Sequence, residues 1–296
     1  MSEGLKMFLS YVINGLIIGN IYGLMALGLT IILGVMKIVN FAHGEFYMLG
    51  GYAAYIASIR LGLSPVLSIV LAMVAVFLIG VLVERSLLTP LYAGKLERPG
   101  DYALLMTFAL SVFLMNVVIP IFGPYQKSSA ALAEGSVNLG VVMVGTTRLI
   151  ASLVAIALMA ALLIVLKKSR LGIALRAIAQ DRDAAAVCGI DVNRMNPAAF
   201  GIGTAMAAAA GALLAPTFLV YPASGALAAS KANAILVLGG MGSVKGAIIG
   251  ALLLGVFEAL GVLFLTPGYR DVYGFLVIVL VLLIKPTGLF GGQEFS

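Results

Sequence analysis

INGLIIGNIYGLMALGLTIILGVM, Ile13–Met36, carries no charged side chain. A helix needs about 20 apolar residues to cross the hydrocarbon core of a bilayer, so this stretch reads as the body of a membrane span over Phe8–Met36. Within it Gly15, Gly19 and Gly23 recur at four-residue intervals on one helix face. Small residues at that spacing let helix backbones approach closely, which replaces a hydrophobic drive that is absent in lipid. The start of the chain, MSEGLKMFLS, is followed by no short apolar region with a small-residue cleavage site, so this span is expected to be retained.

Working outward, the same apolar texture fills the chain. The 296 residues are 62% hydrophobic and 10% charged, with a mean hydropathy of +1.15. Soluble domains carry about 25% charged residues, and an ionised side chain in hydrocarbon costs about 2.5–3.5 kcal/mol. Further spans are expected at Phe41–Ile59, Leu63–Val83, Tyr102–Phe122, Leu149–Leu166, Ala198–Val220, Gly246–Leu265 and Val272–Ile284. Lys231–Lys245 is apolar but short and broken by Gly239, Gly240 and Gly242, which reads as a short or re-entrant crossing. The expectation is an all-α, polytopic transmembrane bundle of eight or nine crossings, one domain over 1–296. Gly246 and Gly250, with Ala247, Ala251, Gly255 and Ala259, form a second small-residue stripe. Tyr92, Tyr102, Tyr125, Tyr221, Tyr269 and Tyr273 fall at span ends, where an amphipathic ring prefers the interface.

Basic residues orient the bundle. Lys167, Lys168, Arg170, Arg176, Arg182 and Arg194 cluster in one loop, and Arg85, Lys95 and Arg98 in another. Both should be cytoplasmic, whereas the nearly neutral Gly123–Thr147 should face outside. Counting spans puts the N-terminus outside, and Lys285 puts the C-terminus inside. The net charge of +6 is accounted for by this clustering, without a nucleic-acid partner. Cys188 is the single cysteine, so no internal disulfide forms.

Chemistry-bearing patterns are scarce. No GxxxxGK[ST] occurs, and the glycines of GGMGSVKG, Gly239–Gly246, fit a turn better than a phosphate loop. One histidine and one cysteine leave no metal cluster, and no nucleophile accompanies His43. Glu45 and Glu258 are the acidic candidates within spans, too few for the ionisable relay of a self-sufficient carrier.

Two polar segments stand out. SRLGIALRAIAQDRDAAAVCGIDVNR, Ser169–Arg194, reads as a short amphipathic helix: Leu171, Leu175 and Ile178 lie on one face and Arg176, Gln180 and Asp183 on the other. Gly189 would end that helix over Arg170–Gly189. The other is NFAHGEFYMLG, Asn40–Gly50, where Asn40, His43 and Glu45 follow the first span near its cytoplasmic end. They either cap the next helix at the water boundary or line a path or subunit interface. Asn14, Asn20, Thr107, Ser111, Asn116 and Asn233 are polar within spans and are expected to turn inward, most of them into interhelical hydrogen bonds.

Asp183-Ala184-Ala185-Ala186-Val187-Cys188-Gly189 resembles the EAA-xxx-G element of ABC-importer permeases, with Asp for Glu. Ile13–Tyr52, RAIAQDRDAAAVCGIDVNR, AILVLGGMGSVKGAIIGA and IKPTGLFG together resemble, in order, the branched-chain amino acid ABC-transporter permease family of the LivH type. That resemblance implies a permease subunit of the bacterial cytoplasmic (inner) membrane, not an enzyme and with no cofactor of its own. It implies a second permease chain, two ATP-binding subunits that use the ATP, and a secreted or periplasmic substrate-binding protein. It also makes 167–197 the coupling loop, with Arg176, Gln180, Asp181, Asp183, Ala184, Ala185 and Gly189 against the ATPase. Urea, short amides or another small polar solute is the rival cargo, and a self-sufficient carrier or channel the rival class.

Overall fold

The computed structural model describes residues 3–92, 96–138, 140, 142–264 and 270–291. Lys95, Leu265 and Tyr269, named above, lie outside them. The apolar runs become α1 (Glu3–Met36), α2 (His43–Tyr55), α3 (Pro65–Val83), α4 (Pro99–Phe122) and α5 (Thr146–Lys168). The basic segment forms α6 (Arg170–Gln180) and α7 (Arg182–Val187), and the rest forms α8 (Val192–Phe218), α9 (Ser224–Gly239), α10 (Val244–Phe264) and α11 (Arg270–Ile284). A two-stranded hairpin, β1 (Ser136–Asn138) and β2 (Met143–Gly145), pairs Val137 with Val144 in the loop after α4. This is an all-α polytopic bundle: among the described residues six helices are long and apolar enough to cross a bilayer, and α2, α9 and α11 are shorter.

α1 and α8 form the centre. In their most apolar stretches 83% and 89% of residues are buried, against 17% in α4, so α4 lies at the rim and the pair at the axis. Backbones meet there at glycine. A Cβ on Gly15 would lie 2.7 Å from the Gly255 carbonyl oxygen, and one on Gly19 2.9 Å from that of Ala251, so the Gly15/Gly19/Gly23 face is the seam with α10. Gly246 and Gly250 do not join that seam. They abut Gly239 of α9, because Ala251, Gly255 and Ala259 already occupy the α1-facing side of α10.

Contacts sort the helix ends. Lys37, Gln180 and Met241 line one cleft, Arg182 lies over Tyr92, and the Leu289 N–H donates to the Leu238 carbonyl oxygen. These features share the end that carries α6 and α7. The Lys127–Val220 bridge and the Ala130 N–H donating to Ser58 Oγ mark the opposite end.

Two expectations need correction. The short segment is Ser224–Gly239 rather than Lys231–Lys245, and its glycines end the helix instead of breaking it: Gly240 sits at φ +99 after the last turn. Lys231 looked like a boundary only because its charge is met inside the bundle, as described below. The basic segment is likewise not one helix over Arg170–Gly189. At Asp181 the backbone turns extended (φ −149, ψ 115), and its side chain accepts from the N–H groups of Asp183 and Ala184 at 2.9 Å. Such an N-cap is worth about 1 kcal/mol, enough to favour two short helices over one long one.

Candidate functional site

The interior is interrupted twice in the same way. After α1, Lys37 takes φ +56 and the chain runs irregularly through Ala42 before α2 begins. After α8, Leu219 takes φ +60, and α9 begins at Ser224. Among the described residues these are the two non-glycine residues with positive φ. Neither α2 nor α9 has a side-chain N-cap; Ala42 and Ala223 occupy those positions. The two N-termini face each other inside the protein: a Cβ on Gly44, second residue of α2, would strike the backbone of Gly225, second residue of α9. Irregular backbone and half-helix ends at this depth are tolerated where protein or a water-filled cavity surrounds them.

The polar residues of NFAHGEFYMLG converge on this junction. The reversal at Lys37 carries the chain back along α1, so His43 Nε2 lies 3.0 Å from the carbonyl oxygen of Met25. Met25 is eleven residues before the end of α1, about 16 Å along the helix axis. His43 and Glu45 therefore do not sit at the water boundary near the end of the first span; His43 is 0% and Glu45 1% exposed. Asn40 closes a turn ahead of α2, its Oδ1 accepting the Ala42 N–H at 3.0 Å. Glu45 Oε1 accepts from Ser111 Oγ of α4 at 3.1 Å, and its carboxylate abuts Gly225. Asn40 Nδ2, His43 Nδ1, Glu45 Oε2 and Ser224 Oγ are buried and have no hydrogen-bond partner among the described residues. Buried polar atoms left unpaired cost about 1–3 kcal/mol each, which makes this junction the candidate functional site.

A second polar group lies a short way along α9. Lys231 Nζ pairs with Glu258 Oε1 of α10 at 2.5 Å, with side chains 15% and 1% exposed. Tyr22 of α1 donates its hydroxyl to Glu258 Oε2 at 3.5 Å and holds its ring 5.1 Å from the Lys231 ammonium. Lys231 is six residues beyond Gly225, about 9 Å along α9. Tyr22 sits one helical turn from Met25, so α1 links the two groups. The sequence offered one usable signal for this pair: a lone lysine and a lone glutamate in neighbouring apolar segments, where each charge needs the other.

The remaining polar positions divide between interhelical bonds and bonds to their own helices. Asn20 Nδ2 reaches Ser152 Oγ of α5 at 2.9 Å, an interhelical bond. Asn14, Thr107 and Asn116 instead donate to carbonyl oxygens four residues back in their own helices. Short polar side chains satisfy themselves this way without a partner helix. Asn116 is exposed on the outer face of α4 rather than turned inward, Asn14 lines an outer cleft beside Tyr11 and Arg148, and Asn233 is half-buried on α9.

At the end that carries α6 and α7, α6 buries Leu175 and Ile178 as the periodicity predicts. Gln180, Asp181, Asp183, Ala184 and Gly189 are exposed, Arg176 is half-buried with its guanidinium 3.4 Å from the Lys167 carbonyl oxygen, and Ala185 is buried. Gly189, at φ +86, turns the chain after α7, with the Ile190 N–H donating to the Ala185 carbonyl oxygen at 3.0 Å. Arg182 lies 3.7 Å above the Tyr92 ring, tying α7 to the end of the α3 segment. A cation over a ring at this distance is worth about 0.5–2 kcal/mol.

Comparisons with known proteins agree over nearly the full length. A family profile described as the permease component of the branched-chain amino acid transport system matches residues 11–284. The chain is 36% identical over 301 residues to the high-affinity branched-chain amino acid transport system permease protein BraD of Pseudomonas aeruginosa, covering 97% of each. It is 35% identical over 309 residues to the corresponding permease protein LivH of Escherichia coli, covering 99% of each. A probable LivH of Methanocaldococcus jannaschii is 28% identical over 303 residues, 97% of this chain and 93% of that one. Among solved structures, PsaBC from Streptococcus pneumoniae in complex with Fab matches with a TM-score of 0.50 at 15% identity, over 95% of this chain and 94% of that one, a likeness of fold alone.

Proposed function

This chain belongs to the family of branched-chain amino acid transport system permease components, and on that premise we propose that it is the membrane subunit of an ATP-driven importer of branched-chain amino acids. The observation that carries the reading is the near full-length likeness to high-affinity permeases of that system. It is supported by a coupling surface without an engine: α6 and α7 project at one end, and no GxxxxGK[ST] occurs in the sequence. We read 1–296 as one permease domain, with 167–197 as the loop that meets two separate ATP-binding subunits, which use the ATP. A second permease chain and a periplasmic substrate-binding protein complete the complex. The concentration of Lys and Arg around α6 and α7 orients that end to the cytoplasm, leaving the N-terminus outside and the C-terminus within.

The junction of α2 and α9 is the inner part of the path in this reading. A zwitterion leaving water needs its charges met by dipoles and by water, and Asn40, His43, Glu45 and Ser224 offer both donors and acceptors there. The two breaks give α2 and α9 hinges about which they rock when the ATPases displace α7. Uptake of labelled leucine by the reconstituted complex tests the cargo. Excess isoleucine and valine should compete and urea should not; competition by urea, with leucine left outside, would reassign the cargo to small polar solutes.

A further inference from the structure

Behind α7 lies another set of buried polar atoms. After α3 the chain widens into one broad helical turn over Glu84–Leu88, where the Thr89 N–H donates five residues back to the Glu84 carbonyl oxygen, and it tightens again through Thr89–Tyr92. A single wide turn of this kind often marks a functional site. This one packs against α8 and carries Glu84, which is 2% exposed. Glu84 Oε2 is buried and has no hydrogen-bond partner among the described residues. Arg182, the first residue of α7, is in a matching condition. Its guanidinium lies 3.7 Å over the Tyr92 ring, and its Nη2 is buried with no hydrogen-bond partner among the described residues. The Arg182 charge acts on both the Tyr92 hydroxyl and the Glu84 carboxyl, yet among the described residues no ion pair joins Arg182 to Glu84. A buried carboxylate and a buried guanidinium are each costly alone, and one move relieves both, a fork of N–H donors placed on the carboxylate. What holds them apart is the seat of α7: Asp181 caps its first turn, and the Tyr92 ring holds the cation.

We propose that Arg182 is the positioning residue through which α7 drives α3: when an ATP-binding subunit displaces α7, the guanidinium leaves the face of Tyr92 and closes on the Glu84 carboxylate. It returns to the ring when α7 is released. Two seats for one cation make α7 a two-state element, which is how a small shift at a packed surface becomes a discrete movement elsewhere. α3 carries that movement inward, because its Gly80 stands against Thr204 and Gly201 of α8, the helix that ends at the Leu219 break ahead of α9. The inference rests on reading 167–197 as the loop that meets the ATP-binding subunits, and it names the contact that passes their motion on.

The test is uptake of labelled leucine per ATP hydrolysed by the complete reconstituted complex, with thermal melting on the same preparations. Glu84→Gln keeps the shape and removes the charge, so a residue that only fills space there should melt and transport as wild type. The two-seat switch predicts that Glu84→Gln melts at or above wild type, since a buried charge is gone. Uptake per ATP should nevertheless fall by about tenfold in Glu84→Gln and in Arg182→Gln, and the double variant should fall no further than either single one. Two independent fastenings would instead give losses that multiply. Should Glu84→Gln fail to fold, Arg182→Gln and Arg182→Lys decide the matter at the half-buried position: the lysine, which keeps the cation, should recover much of the uptake per ATP that the glutamine loses. Wild-type uptake per ATP in Glu84→Gln or Arg182→Gln, no recovery by the lysine, or multiplied losses in the double variant overturns the switch and leaves the importer reading standing. A wild-type complex that hydrolyses ATP without importing leucine overturns both.

Discussion

Gly211→Val should remove the folded protein from the membrane. A Cβ on Gly211 would lie 2.8 Å from the Tyr47 carbonyl carbon and 3.2 Å from the Gly51 nitrogen, and still closer to the Tyr47 carbonyl oxygen. All of these are backbone atoms of α2, so no side chain can swing aside. The reciprocal contact is as tight: a Cβ on Gly50 would meet the backbone of Ala208. Overpacking a core costs about 1–3 kcal/mol when side chains can adjust, and here whole helices must separate. In lipid that loss is not offset by hydrophobic contact elsewhere. Folded protein recovered on size-exclusion should fall by about tenfold or more, while Gly145→Val, with open space around its Cβ, should leave it unchanged. Wild-type recovery of the Gly211 variant would mean that α2 and α8 do not approach as described.

Gly189→Val should have the opposite signature, a normal amount of protein that does not transport. The space around Gly189 is open, so nothing clashes. Its φ of +86 is the difficulty, because a β-branched residue there is strained by about 1–3 kcal/mol. The strain is relieved by re-aiming the turn between α7 and α8, which moves the exposed face of α7 proposed above to meet the ATP-binding subunit. ATP-driven uptake should fall by roughly tenfold or more, a cost in barrier of about 1.4 kcal/mol or above. Gly189→Asn should be milder, since Asn enters the left-handed region more readily. Uptake and thermal melting measured on the same preparations separate coupling from stability. Equal uptake by the valine variant would remove Gly189 from the coupling surface.

Much of this architecture can be read in the sequence, because lipid enforces a simple rule of long apolar helices with small residues where they touch. The Gly15/Gly19/Gly23 face meets α10 as its spacing predicts, and Leu175 and Ile178 turn inward on α6. Depth is what the sequence hides. Nothing in MKIVNFAH signals that Lys37 takes φ +56 and that His43 comes back along α1 to the level of Met25. Charge in isolation also misleads: Lys231 reads as a span boundary until Glu258, 27 positions later, is seen beside it. Local hydrogen bonding misleads in the other direction. Asp181 caps a new helix instead of extending the old one, and Asn116 bonds to its own helix rather than across the bundle. Each miss involves a polar group, whose partner is chosen by tertiary geometry in some cases and by its own helix in others, while apolar periodicity needs no partner to be legible.

The most direct measurement is solute flux in proteoliposomes holding this chain with and without its ATP-binding subunits. Only the full complex, supplied with ATP and the substrate-binding protein, should accumulate leucine. Ion-driven accumulation by the chain alone would contradict the account.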